Sequence, residues 1–295
     1  MRMGLGKADV SLHRSHQPIL WTSRRPDSGL HKSRVPATPR PMAALTAVSL
    51  ALLTLGLVWA AFDSRLIEGS ATWAKPMKFA LSFAVTFGTL AVILPLYSPT
   101  WRGGLLFWSL TTLMGGAMLF EMIYMIYQAA QGQASHFNTG TAFTRLMYAL
   151  MGVGAVTLVV AIGAFGWAAL RDKDASFGPA LRQGVVWGFI GSFILTMITA
   201  GTMSSLSGHF IGTPSPDSAT VPLMGWSAAV GDLRPAHFVA LHMMQALPLF
   251  GLWLDRRNGA ATAAIRSVRI GSAVYAILTL GLFVQALMGL PVIRL

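Results

Sequence analysis

Seven runs of apolar residues, each about 20 long or longer, alternate with short polar segments: 43–62, 77–97, 104–129, 145–170, 184–205, 236–254 and 269–292. None carries the regular charged stripe of a helix with one face in water. Each is long enough to cross a hydrocarbon layer of about 30 Å. Lipid offers the backbone no hydrogen-bond partner, so runs of this length must satisfy their own amides as helices. The pattern predicts an all-α, polytopic membrane helix bundle with seven transmembrane helices over 42–295.

Composition agrees with this reading. Of 295 residues, 54% are apolar and 11% are charged, against about a quarter charged in soluble domains. No cysteine occurs, which excludes disulfides, thiolate metal sites and cysteine nucleophiles. The formal charge of +12 raises the question of nucleic acid, since basic chains attract phosphate. Its placement points instead to a bilayer partner and to no nucleic acid. Eight of the 22 Lys and Arg lie in the first 40 residues, and most others sit in short connections between apolar runs.

Residues 1–41 are polar and basic, with Arg, Lys, Pro, Ser and His, and cannot bury enough apolar surface to order themselves. They read as a disordered tail, or as an upstream choice of start ahead of Met42. The run that follows, with Val58 and Ala60 as small residues, is long for a cleaved signal and reads as a retained helix. If the tail is cytoplasmic, the inner connections hold Arg102, then Arg171, Lys173 and Arg182, then Arg256, Arg257 and Arg266. The outer segments hold fewer cations. This bias predicts an inside N-terminus, an outside C-terminus and a multi-pass protein of a bacterial-type inner (plasma) membrane. Paired glycines at 152 and 154, 163 and 166, and 188 and 191 predict close helix approach. Pro95, Pro248 and Pro291 are expected to bend or end helices.

The polar groups inside the apolar runs are the candidate chemistry. Glu121 lies about eight residues from the outer end of its run, roughly 12 Å deep at 1.5 Å per residue. Tyr124 and Gln128 follow at i+3 and i+7 on the same face. Lys78, Arg145 with Tyr148, Thr196 with Thr199, and His242 with Gln245 sit at similar depth on other helices. The four histidines beyond the tail, His136, His209, His237 and His242, all fall on the predicted outer side. Ionisable groups in lipid are costly and usually face a cavity or a partner. The expectation is a polar outer chamber floored by Glu121, with its carboxylate paired to Lys78, Arg145 or His242. The long connection 206–235, rich in Gly, Pro and Ser but carrying Trp226, is expected to fold back as a lid.

The leading functional reading is binding of a small molecule or of a cation or proton in that chamber, with transport as its use. Others stay open. Haem is one, with His242 and either His136 or His209 as axial ligands, since His237 and His242 are about 140° apart around their helix. A sensor or accessory subunit is another. A metal-dependent enzyme would use His136, His209, His242 and Glu121 as zinc ligands, although no spacing such as HExxH marks them.

Overall fold

The computed structural model describes residues 40–67, 69–215, 217–222, 224–257 and 260–294; the predicted tail through residue 39 lies outside them. Among the described residues there are seven long helices: α1 (Arg40–Ala60), α2 (Ala74–Ile93), α4 (Leu105–Ala130), α5 (Ala142–Arg171), α6 (Pro179–Ser205), α7 (Arg234–Arg256) and α8 (Ala261–Leu287). A short helix α3 (Pro99–Arg102) lies between α2 and α4, and short antiparallel strand pairs, β1–β2 (Leu66–Ile67, Ser70–Ala71) and β3–β4 (Phe210–Ile211, Gly231–Asp232), lie in connections. All seven long helices are apolar enough to span a membrane. The chain is a polytopic membrane protein.

Helix ends follow local chemistry. Pro95 closes α2 in a turn of 3₁₀ helix, Leu94–Leu96. Gly132, in the left-handed region at φ 67°, ends α4, and the Gln133 amide donates back to the Gln128 carbonyl at 2.9 Å. Thr141 caps α5, exchanging hydrogen bonds with Thr144. Pro248 lies inside α7 and Pro291 follows α8.

Packing is sequential, α1 on α2, α2 on α4, α4 on α5, α5 on α6, and α6 on both α7 and α8. The tightest crossing is α6 with α7. A side chain at Gly184 would meet the Leu247 backbone, one at Gly188 would stand 2.9 Å from the Met243 carbonyl, and one at Gly251 would strike the Ala180 backbone. Small residues are therefore required on both helices. Of the glycine pairs anticipated from sequence, Gly163, Gly166, Gly188 and Gly191 contact a neighbouring helix, Gly154 receives a side chain, and Gly152 faces open space.

The two ends of the bundle differ. On the N-terminal face, where α1 begins, the connections are short and held by carboxylates, Asp172 buried and Asp255 half-buried. Asp255 at the end of α7 accepts from the Ala180 and Leu181 amides and so caps the start of α6. Asp172 accepts from the Ser98 amide at 2.7 Å, while Arg182 donates to the Asp172, Ala169 and Ala175 carbonyls. The buried Tyr97 hydroxyl donates to the Phe165 carbonyl at 2.6 Å. Burial foremost, then the nearby Asp172, pushes this phenol well above its ordinary range. These carboxylates at the inner helix ends were not singled out in the sequence analysis. The sequence signal was present: Asp172 and Asp255 each stand where an apolar run ends.

Candidate functional site

The candidate residues named from sequence fall in three parts of the bundle. The first is an aromatic roof over the C-terminal face, where α8 ends. The half-buried His136 ring lies 5.5 Å from Phe79 and 6.3 Å from Tyr148, centroid to centroid, and its Nδ1 shares a hydrogen bond with Ser135 at 3.1 Å. Phe137 packs 5.3 Å from Tyr148 and 6.4 Å from His209. Its φ of 56° is in the left-handed region, costly for a bulky residue and tolerated where packing over-determines it. Burial, and secondarily Lys75, holds His136 down at about 3. Burial and then Arg234 hold His209 down at about 4, against an upward pull from Asp232. Both imidazoles are thus neutral around pH 7.

The described residues of the connection 206–233 cover this end as a cap. Its hairpin is closed by Val221 to Trp226 and Ala228 to Ala219 backbone bonds. Lys78 reaches from α2 to the Met224 carbonyl at 3.1 Å, and Arg234 from α7 to the Gly225 carbonyl at 2.6 Å. Arg234 also pairs with the buried Asp232 at 2.6 Å, and Trp226 packs edge-on to Phe238. The segment does fold back, as Trp226 suggested. Lys78, expected to face Glu121, is exposed and holds the cap instead.

The second grouping lies on α7 and its neighbours. His237 Nδ1 shares a 3.0 Å hydrogen bond with Thr199, whose hydroxyl also donates into its own helix. His242 is held by its own helix, Nδ1 on the Phe238 carbonyl at 2.7 Å and ring 4.0 Å from the Phe238 ring. The Gln245 Oε1 and the Thr196 hydroxyl are buried without a hydrogen-bond partner among the described residues.

The third grouping is the seam between α4 and α5, and it contains Glu121. The side chain is buried, with only 2% exposed. Its Oε1 lies 3.1 Å from where a side chain on Gly154 would begin, with Ala117 alongside, so the glycine makes room for the carboxyl. That oxygen has no hydrogen-bond partner among the described residues, and neither has the buried Tyr124 hydroxyl one turn along. The expected counter-ions are elsewhere. Lys78 and His242 are engaged as above, Arg145 is exposed and donates to the Thr139 carbonyl at 2.9 Å, and the ion pairs Asp63–Arg65 and Asp232–Arg234 do not involve Glu121. Gln128 also has another task, since its amide holds the Ala134 carbonyl at 3.2 Å in the turn after α4.

Beside Tyr124 runs a groove of about 310 Å³ lined by Phe120, Ile123, Tyr124, Tyr127, Phe143 and Met147. It opens on the flank of the helix pair, where Ile123, Tyr127 and Phe143 are exposed. A second hollow of about 410 Å³ lies at Trp59, Phe62, Asp63 and Arg65, where hydrogen bonds from Arg65 and Trp73 hold Asp63 well below the usual carboxylate range. The α4–α5 groove was missed in the sequence reading because Phe143 and Met147 look like ordinary lipid-facing residues.

The zinc set imagined from sequence is not assembled, since among the described residues no three His, Asp or Glu side chains come together to hold a metal ion. For a haem, Phe137 occupies the space next to His209, and His242 is tied to its own helix. Neither the known protein families, nor curated proteins, nor solved structures provide a match to this chain.

Proposed function

We propose that this membrane protein binds a proton or a small cation at Glu121, as the working step in handling a small solute, with transport as the use that fits best. The observation that carries the reading is a carboxyl buried within the span, seated in the Gly154 notch, with Oε1 unpartnered. A bare carboxylate away from water costs several kcal/mol, about 3 or more. Such a group is stable as the neutral acid or against a cation it has captured, and exchange between these two states is what a coupled carrier needs. The structural alternative, an ion pair that fixes helix packing, requires a fixed cation, and Lys78, Arg145 and His242 are each occupied elsewhere.

The charge bias of the connections supports a bacterial-type inner membrane with the N-terminal face cytoplasmic, which makes the Glu121 end extracytoplasmic. The test is labelling by dicyclohexylcarbodiimide, an apolar reagent that adds to carboxylic acids from the lipid phase. Glu121 is expected to be the modified residue by peptide mapping, with labelling that rises as pH falls and is lost in Glu121→Gln. In proteoliposomes carrying an imposed pH gradient, the same variant is expected to lose proton-coupled solute flux. A chain in which Glu121 stays unlabelled at every pH, or whose flux is untouched by Glu121→Gln, would return the carboxyl to a packing role.

A further inference from the structure

Among the described residues, no arginine on the N-terminal face pairs with a carboxylate, and two of these arginines stand beside a pair of tryptophans. Ser98 donates its amide to the Asp172 carboxylate at 2.7 Å, and the Arg102 amide donates to the Ser98 carbonyl at 3.0 Å. That bridge pins α3 against the end of α5. The Trp101 ring meets Trp167 edge-on, 5.9 Å between centroids, as a second tie between the same elements. Arg171, the residue before Asp172, is exposed and holds its guanidinium 5.3 Å from the centre of the Trp167 ring. Arg102 follows Trp101 directly and is half-buried. Its Nε is enclosed with no hydrogen-bond partner among the described residues, while its terminal nitrogens reach the surface. The nearby acids are committed elsewhere. The two oxygens of Asp172 accept from the Ser98 and Asp174 amides, and those of Asp255 from the Ala180 and Leu181 amides. The exposed Asp174 makes no ion pair among the described residues.

We propose that Arg102 and Arg171, flanking the Trp101–Trp167 pair, bind the phosphate of an anionic phospholipid in the leaflet on this face. The anion that the chain does not supply comes from the headgroup layer. Guanidinium groups present planar forks of donors that match phosphate oxygens. Tryptophan favours the boundary between headgroups and hydrocarbon, which sets the two arginines at the depth of lipid phosphates. The acyl chains have a surface to follow, since Leu105 at the start of α4 and Leu170 at the end of α5 are both exposed. A headgroup of net negative charge is selected because basic clusters between spans attract it. A zwitterionic headgroup would bring its own ammonium toward two cations.

The test is native mass spectrometry of the purified full chain in detergent, titrated with phosphatidylglycerol or with phosphatidylcholine of the same acyl chains. The first phosphatidylglycerol is expected to bind at least about fivefold more tightly than phosphatidylcholine. Arg102→Gln and Arg171→Gln are each expected to weaken it about fivefold, the effect of one cation at a charged lipid surface. Arg266→Gln removes the same charge from an exposed position near the start of α8 and is expected to bind normally. Arg171 is itself exposed, so its variant decides the question if Arg102→Gln lowers the melting midpoint. Equal binding of the two lipids, undiminished binding in Arg171→Gln, or an equal loss in Arg266→Gln would overturn the proposal. Inorganic phosphate that displaces the lipid more than chloride of equal ionic strength would make this a free-anion site and overturn the lipid assignment.

Discussion

His136 shows how a single residue couples the roof to pH. Its ring is enclosed by Phe79 and Tyr148, and burial lowers its affinity for a proton from the ordinary 6.5 to about 3. In the unfolded chain the ring titrates normally. Between pH 6.5 and about 3 the unfolded state therefore holds a proton that the folded state refuses, so stability falls as pH falls through that window. Above it both states are neutral and the contribution is flat. The slope is about 1.4 kcal/mol per pH unit for this one group at most. Thermal unfolding in detergent is expected to show a lower midpoint at pH about 5 than at pH about 7.5, with a shallower dependence in His136→Phe. An identical dependence in that variant would assign the acid sensitivity to His209 or to other groups. Glu121 and Gly154 belong to the same scale: an oxygen 3.1 Å from a missing methyl depends on that methyl staying absent.

At the scale of elements, the α6–α7 crossing is where the fold tolerates least. A Cβ on Gly188 would stand 2.9 Å from the Met243 carbonyl and 3.0 Å from the Pro248 ring, closer than ordinary contact, so a large side chain there must drive two backbones apart. Gly188→Leu is expected to cost more than the 1–3 kcal/mol of a typical overpacked core, that is, more than about 3 kcal/mol. Gly152→Leu, at a glycine with nothing within 4 Å, is expected to be nearly neutral. Yield and melting midpoint of the two variants in detergent measure the contrast; similar losses in both would show that the crossing is looser than drawn. Asp255 works on the same pair of helices by capping α6 from the end of α7. A carboxylate there complements the amide-rich start of a helix.

For the whole molecule, orientation decides which leaflet the α4–α5 groove faces. The chain has no cysteine, so single introduced thiols report sidedness with no background. Ser215→Cys on the cap and Lys173→Cys on the opposite connection are both at exposed positions. A membrane-impermeant maleimide is expected to label Ser215→Cys in intact cells and Lys173→Cys only after permeabilisation. The reverse pattern would turn the protein over and place the groove toward the cytoplasmic leaflet.

The seven helices and their approximate ends were legible in the chain because burial in lipid imposes the same requirement on every residue of a span, and twenty apolar positions in a row satisfy it without reference to neighbours. The observed α1, α2 and α4 fall within a few residues of the predicted runs, and the later helices start earlier, where Pro179, Arg234 and Ala261 can still be helical. The lid was readable too, from Trp226 among turn residues. Which polar groups meet was not readable, since that depends on rotation and order of helices, which period and hydropathy leave open. Only the packed structure sends Lys78 to the Met224 carbonyl, ties His242 to Phe238, and leaves the Glu121 Oε1 against Gly154 with no hydrogen-bond partner among the described residues. Membrane insertion is a property of each segment alone, whereas a site exists only between segments.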